Sequence, residues 1–212
     1  DGMKYKVMIV EDQTMPRELF ELRVQASERF ELALSIDNAA LADVYCLRFP
    51  VDLILMDVIT RDGENGLDAA ARIKRAFPQI KIIIVTSMPE CSYLKRAKEI
   101  GVESFWYKEE QRESLLDVME RTMNGESVYP GASPELTLGM ASSYQFTERE
   151  LDILREITSG DTNQEIADRL NMSVATVQTH ILNMLEKTGF RNRTELAVRA
   201  RESGLVILNR RN

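Results

Sequence analysis

The run Val51-Asp52-Leu53-Ile54-Leu55-Met56-Asp57 limits what this chain can fold into more than any other stretch. Its apolar centre is too short for a helix and shows no polar alternation. That predicts a strand buried on both faces, as in a parallel sheet covered by helices. In open α/β sheets ligands bind in the crevice beyond the carboxyl ends of the strands. Asp57 ends this strand and the polar loop Thr60-Arg61-Asp62-Gly63-Glu64-Asn65 follows it, so Asp57 is the first candidate for chemistry.

The chain up to about residue 125 repeats the same alternation. Strands are expected from Lys4 to Val10, Phe30 to Ile36, Val51 to Asp57, Ile80 to Thr86 and Glu103 to Tyr107. Helices are expected from Met15 to Glu28, Ala39 to Phe49, Gly66 to Phe77, Pro89 to Ile100 and Glu110 to Met123. Such repetition implies an α/β doubly wound five-stranded parallel sheet, helices on both faces and right-handed crossovers. From Glu126 to Gln145 the periodicity stops, and Pro130, Gly131, Ser133, Pro134, Gly139, Ser142 and Ser143 supply a linker composition. Only helices follow. Thr147-Glu148-Arg149-Glu150 and Thr162-Asn163-Gln164-Glu165 have the spacing of capping boxes. Ser173 caps a third helix to about Lys187, and Asn192 or Thr194 a fourth ending near Gly204. The expected organisation is an α/β domain at 3–125, a linker at 126–145 and a second, smaller all-α four-helix domain at 146–212. Asp1-Gly2 ahead of Met3 read as a cloning remnant.

Charge divides along the same boundary. Residues 1–145 hold 17 Lys and Arg against 24 Asp and Glu, whereas residues 146–212 hold 10 against 10. The acidic first part disfavours nucleic acid. The tail end does not, since Lys187, Arg191, Arg193, Arg199, Arg201, Arg210 and Arg211 oppose only Glu195 and Glu202 there. Two cysteines, Cys46 and Cys91, each in a helix-like segment, argue against a disulfide framework and fit a reducing compartment. No apolar run approaches the roughly 18 residues of a membrane span and no leader pattern opens the chain, so a cytoplasmic protein without a membrane partner is expected.

Strand ends one and three bring Glu11, Asp12 and Asp57 into one crevice, where three ionised carboxylates need a cation between them. Mg2+ fits, because it takes oxygen ligands and keeps waters that a phosphoryl oxygen can replace. Thr86 ends the fourth strand and Lys108 follows the fifth, so a hydroxyl and an ammonium aim at a group gaining negative charge. Taken singly, Glu11 and Asp12 are equally well read as helix caps and Lys108 as a surface lysine. Four strand ends carrying such residues together weigh against that reading.

The order Glu11-Asp12, Asp57, Thr86-Ser87, Lys108 resembles a two-component receiver domain across residues 4–124. The resemblance implies that Asp57 is the phospho-acceptor and that Glu11, Asp12 and Asp57 hold Mg2+ with the backbone carbonyl of Ile59. It also implies that Thr86 and Lys108 bind the phosphoryl group, and that Phe105 is the switch aromatic beside Thr86. The chain departs from the family pattern in two places. Thr60-Arg61 stand where Met-Pro is usual, with Gly66 one residue late, and the trio Phe105-Trp106-Tyr107 is heavily aromatic. At least one of the three aromatics is expected to fill the core.

In the second part, helix, short helix, tight turn and longer helix form a helix-turn-helix, whose longer helix enters the major groove. On the helix from Ser173, Val177, Ile181, Met184, Leu185 and Thr188 share one face. Gln178, Thr179, Leu182, Asn183 and Glu186 share the other, which offers base-reading groups. Lys187, Arg191 and Arg193 would meet phosphates. A small helical protein-binding domain has the same periodicity. The residues Phe146-Thr147-Glu148-Arg149-Glu150, Gly160, Asn163, Glu165-Ile166-Ala167, Leu170, Ser173, Thr176-Val177, His180 and Asn192-Arg193-Thr194-Glu195 resemble the LuxR-type domain.

With the receiver in front, the chain is similar to the NarL/FixJ response regulators. That implies phosphorylation by a sensor histidine kinase, a homodimer when active, and double-stranded DNA with two half-sites as target; Thr176 joins the expected DNA contacts. The position after Thr176-Val177 is often Lys in the family and is Gln178 here. His180 has no catalytic role in this reading. The rivals are an Asp-nucleophile, Mg-dependent phosphohydrolase and a receiver with a protein-binding output. The hydrolase places a second Asp where this chain has Ile59. Apolar Ile59 and Met88 flanking the acceptor imply slow self-dephosphorylation.

Overall fold

The computed structural model describes residues 2–61, 64–87, 90, 92–109 and 113–206. Asp62, Gly63, Met88, Cys91, Arg210 and Arg211 lie outside the described residues, as do the expected starts of two helices at Pro89 and Glu110. The chain divides into two compact units, one spanning the sequence to Ser87 and Tyr93–Gly131, the other made of the short segment Met88–Ser92 and the chain from Ala132.

In the first unit β1 (Tyr5–Val10), β2 (Phe30–Ile36), β3 (Leu53–Met56), β4 (Lys81–Thr86) and β5 (Ser104–Tyr107) form one parallel sheet in the order β2-β1-β3-β4-β5. The central strand β3 is buried along its whole length, as its continuous aliphatic run requires. It is shorter than expected because Asp52 turns back to β1. The Asp52 carboxylate accepts the Lys6 N–H at 2.8 Å, which ends the apolar run in a polar clasp.

The connecting helices are α1 (Thr14–Gln25), α2 (Ala42–Arg48, after a 3-10 turn at Ala39–Leu41), α3 (Gly66–Ala76), α4 (Ser92–Ile100) and α5 (Leu115–Met123). Helix α1 stops before Glu28 because Ser27 Oγ accepts the Arg29 and Phe30 N–H groups and starts the turn into β2. Helix α5 begins at Leu115 because Ser114 is its cap. Strand alternation sends Val7, Ile9, Leu53, Leu55, Ile83, Val85 and Trp106 to the face covered by α1 and α5. Phe105 and Tyr107 point the other way. All three aromatics of the trio are buried, so core filling accounts for each of them.

Gly66, one residue later than the family pattern, meets a hard steric requirement. A Cβ there would lie 1.8 Å from the Asp57 carbonyl oxygen, and the Gly66 N–H donates to the Val58 carbonyl at 2.6 Å. The extra residue is absorbed in the loop. Ile59 bridges Asn65, the Thr60 N–H donates to the Glu64 carbonyl at 3.1 Å, and the buried Thr60 Oγ accepts the Ala39 N–H at 2.9 Å. Arg61 pairs with Asp37 at 2.7 Å, tying this loop to the one before α2.

The second unit holds a small hairpin, β6 (Thr137–Leu138) with β7 (Ala141–Ser142), then α6 (Glu148–Thr158), α7 (Asn163–Leu170), α8 (Val174–Thr188) and α9 (Arg193–Ser203). The hairpin lies in what composition reads as linker. Its Gly139 adopts φ +61°, which a turn can use and a composition count cannot foresee. Thr147 and Glu150 form the expected reciprocal capping box. At Thr162 only half of a box forms, because the Glu165 carboxylate accepts from the Thr162 hydroxyl at 2.9 Å rather than from its backbone. Asn171 closes α7 in the left-handed region at φ 55°, and Asn192 rather than Thr194 caps α9. The core of this unit joins Leu138, Phe146, Leu151, Leu154, Ile166, Val177, Ile181, Met184, Leu196 and Leu205.

Gly66→Ala is expected to destabilise the first unit by about 3 kcal/mol, since a backbone carbonyl cannot yield as a flexible side chain would. The urea midpoint checks this, and a midpoint within error of the parent would show that the β3–α3 junction is not so constrained.

Candidate functional site

Register assembles the first site. Val10 pairs with Met56 and Thr86 with Tyr107, so the residues just beyond these strands, Glu11, Asp57 and Lys108, emerge together at the carboxyl edge of the sheet. The Asp57 N–H donates to the Val10 carbonyl and the Lys108 N–H to the Thr86 carbonyl, each at 3.0 Å. One carboxylate oxygen each of Glu11, Asp12 and Asp57 falls within 4.8 Å of the others. Lys108 Nζ reaches Glu11 Oε1 at 3.0 Å and Asp57 Oδ2 at 3.1 Å. Thr86 is fully buried at the end of β4, and Ile59 sits two residues past Asp57 in its bridge with Asn65.

Burial raises the Glu11 carboxyl to about 9, helped by the hydrogen bond and charge of Asp57 and opposed by Lys108. Burial and the Asp57 charge also raise Asp12, the most exposed of the three. For Lys108 burial works downward, but the charges of Asp57 and Glu11 outweigh it and raise its pKa. One ammonium thus serves three carboxylates, and Glu11 Oε2 is buried with no hydrogen-bond partner. A small divalent cation with oxygen ligands fits that orphaned oxygen and that excess of negative charge. Arg17, absent from the sequence expectations, donates to the Glu11 carbonyl at 3.1 Å and steadies the acidic corner. A lone arginine on an amphipathic helix carries no signal of such a role.

The second site is the outer face of α8. Gln178, Thr179, Leu182, Asn183 and Glu186 are exposed, and Val177, Ile181, Met184 and Thr188 are buried, as the periodicity predicts. The Thr176 hydroxyl shares a hydrogen bond with Ser173 Oγ at 2.8 Å, and Thr179 Oγ donates to the Ala175 carbonyl at 3.0 Å. His180 is half-buried.

The cations are less available than their sequence suggests. Lys187 Nζ donates to Glu150 Oε1 and the Gln145 carbonyl, each at 2.9 Å. Arg193 donates to the Asn163 side chain and the Asp161 carbonyl. Arg191 remains exposed, 3.7 Å from Glu195.

Two family models match this architecture. Residues 7–120 match the response regulator receiver domain, and residues 144–200 match the bacterial regulatory proteins of the luxR family. The chain therefore belongs to the response regulators that join a receiver to a LuxR-type DNA-binding domain, a family of transcription regulators rather than classical enzymes. It is 32% identical over 212 residues to the response regulator protein VraR of Staphylococcus epidermidis, covering 96% of this chain and 100% of that protein. The VraR protein of Staphylococcus aureus gives the same identity and coverage. Among solved structures, one of two RcsB dimers bound to two parallel DNAs superposes with TM-score 0.61 at 17% identity, covering 94% of this chain and 98% of that one. RcsB from Salmonella enterica serovar Typhimurium, bound to promoter P1flhDC with the phosphomimetic BeF3-, gives 0.61 at 19% identity over 96% of this chain and 100% of that one. At such identities the structures establish the shared fold.

The Lys187–Glu150 pair makes stability depend on pH. Burial acts to raise Glu150, but the Thr147 backbone hydrogen bond and Lys187 prevail, and its pKa lies below the ordinary 4.5. A depressed carboxylate stabilises the fold above the unfolded value and loses that contribution as pH falls through the folded one. Lys187→Met should therefore cost about 1–3 kcal/mol at pH 7, by leaving a buried carboxylate short of its donor. The difference from the parent should shrink as pH drops below about 4.5. Thermal melts across that range check this, and a constant difference would exclude the pair as its source.

Proposed function

We propose that this chain is a phosphorylation-controlled transcription factor in which Asp57 accepts a phosphoryl group from a sensor histidine kinase and thereby controls dimerisation and DNA binding. The observation that carries this reading is the bridge of Lys108 Nζ to Asp57 Oδ2 at 3.1 Å and to Glu11 Oε1 at 3.0 Å, at the carboxyl edge of a parallel sheet. An Asp57 carboxylate oxygen attacks phosphorus, the bond from phosphorus to the donor breaks, and the donor group leaves with its electron pair. Lys108 is placed to follow the negative charge from Asp57 to the phosphoryl oxygens, and the Thr86 hydroxyl binds one of them. Glu11, Asp12, Asp57 and the Ile59 carbonyl would hold Mg2+, which when bound offsets the charge of carboxylates and phosphoryl group alike. Phe105 serves as the switch aromatic. The working boundaries are a receiver at 3–125, a linker at 126–145 and a DNA-binding domain at 146–212, in a cytoplasmic protein. No helix among the described residues is long and apolar enough to cross a membrane.

On DNA, α8 reads the major groove through Thr176, Gln178, Thr179, Leu182 and Asn183. Arg191, with Lys187 and Arg193 as far as their internal bonds release them, meets phosphates. One such unit reads few base pairs, so a homodimer on two half-sites is expected, with α9 as the subunit contact. The RcsB structure described as two dimers bound to two parallel DNAs supports a dimer on DNA.

Asp57→Asn should abolish labelling by a small phosphoryl donor in the presence of Mg2+; label that survives and maps elsewhere sinks the assignment. Phosphorylation should raise affinity for a duplex selected from random sequence by roughly 5- to 150-fold, the usual range of coupling between sites.

The exposed apolar Leu182, 64% accessible in a polar face, suits a thymine methyl. Replacing the contacted thymine by deoxyuridine should weaken the parent by about 1 kcal/mol or more and leave Leu182→Ala unaffected. Equal losses in the two proteins would remove Leu182 from the reading face.

A further inference from the structure

Segment 126–145 is anchored at both ends. At its start the chain runs along the outer edge of β5. The Phe105 N–H donates to the Val128 carbonyl at 2.9 Å, and the Val128 N–H donates to Ser104 Oγ at 3.1 Å. Ser104 Oγ in turn shares a buried hydrogen bond with Thr122 Oγ1 at 2.7 Å. Tyr129 donates its hydroxyl to the Val102 carbonyl at 2.5 Å and packs its ring 6.2 Å from that of Phe105, which lies 5.0 Å from Tyr107. Lys98 Nζ of α4 stands 5.1 Å from the Tyr129 ring centroid. The first residues after α5 thus lie along the edge of β5 and cover Phe105.

The far end is fixed to the foot of α8. The Met140 N–H donates to the Thr188 carbonyl at 2.9 Å. Gly139 approaches that oxygen so closely that a Cβ would lie 2.3 Å from it. At the α8 cap, a Cβ on Gly189 would meet Met140 Cε at 2.8 Å. Ser143 and Leu136 bond to each other through the Ser143 N–H, 2.7 Å, and the Leu136 N–H, 2.9 Å, and the Tyr144 hydroxyl donates to the Ser133 carbonyl. Between Tyr129 and Ser133 stand only Pro130, Gly131 and Ala132, and Pro130 has a fixed φ.

We propose that 126–145 is a strap rather than a free linker, in which Tyr129 takes up movement of the Phe105 edge and the β6–β7 hairpin delivers it to the C-terminus of the reading helix. This rests on the phospho-acceptor reading of Asp57 and adds the route by which the output follows it. Lys108 immediately follows β5, so a redistribution of charge at Asp57 pulls on the strand whose edge the strap covers. Tyr129 and Met140 are positioning residues, since neither touches the acceptor or the reading face.

The test compares the full chain with Tyr129→Ala, Tyr129→Phe and a four-residue Gly-Ser insertion between Gly131 and Ala132. Asp57 labelling by a small donor and affinity for a selected duplex are measured in each, with and without the donor. Labelling should match the parent in all three variants. The gain in DNA affinity on phosphorylation, roughly 5- to 150-fold in the parent, should fall below about twofold in Tyr129→Ala and in the insertion, and persist in Tyr129→Phe, which keeps the ring. The insertion touches no packed side chain, so it decides the matter if Tyr129→Ala fails to fold. A full gain in the insertion protein overturns the strap. A parent that labels but shows no gain overturns phosphorylation control itself, and the strap with it.

Discussion

A single ammonium group held against two buried carboxylates sets the terms for the receiver unit. Lys108 Nζ sits between Asp57 and Glu11, and the Glu11 and Lys108 side chains are almost fully enclosed. Charges so placed repay their desolvation only when the geometry is rigid, and removing one partner leaves the others stranded. The rigidity comes from the sheet. Aliphatic β3 between β1 and β4 fixes the register, and the register fixes which three residues emerge together. With one ammonium for three carboxyl groups the site crowds negative charge, which helps to raise Glu11, and that crowding suits it to a divalent ion.

What the sequence revealed follows from the same physics. A run of aliphatics ending in Asp57 has one low-energy environment, so strand, burial and crevice were all legible, as were caps such as Thr147 and Ser173, whose oxygens answer a local need. The details that escaped depend on partners distant in the chain. Asp52 shortens β3 because Lys6 is opposite, and Thr60 settles the longer loop because Ala39 presents an N–H to it. Composition marked Gly139 and the residues around it as linker, yet the glycine is there to let a hairpin approach Thr188. The trio Phe105-Trp106-Tyr107 was ambiguous for a related reason. Alternation sends Trp106 to one face and its neighbours to the other, and both faces are covered.

The cations of the second unit show how far a charge count can mislead. Lys187 and Arg193 read as phosphate ligands, but each first serves the packing of its own unit. Lys187 ties α8 to the start of α6, and Arg193 ties α9 to the loop before α7. Both keep N–H donors to spare, but a phosphate would have to share their charge with these internal acceptors, so the gain is smaller than a free cation would give. Tight turns and caps hold the helices instead, with Asn171 accepting a left-handed conformation so that α7 and α8 can meet at the required angle.

This arrangement shifts the balance between affinity and discrimination. Non-specific attraction to DNA grows with the number of phosphates neutralised. A unit with as many acidic as basic residues, and with two of its best-placed cations engaged internally, has little of it. On the proposed DNA reading, selectivity would fall on base-edge contacts along α8, where Gln178, Leu182 and Asn183 are exposed. A single reading helix of that kind would, on this reading, bind weakly alone at physiological salt. Doubling it in a dimer adds the two binding energies while the cost of association is met once. A protein whose individual reading units bind weakly is also one in which a modest change in dimerisation moves occupancy steeply. On the phospho-acceptor reading proposed for Asp57, such weak electrostatics in the output would let one phosphoryl group act as the controlling event.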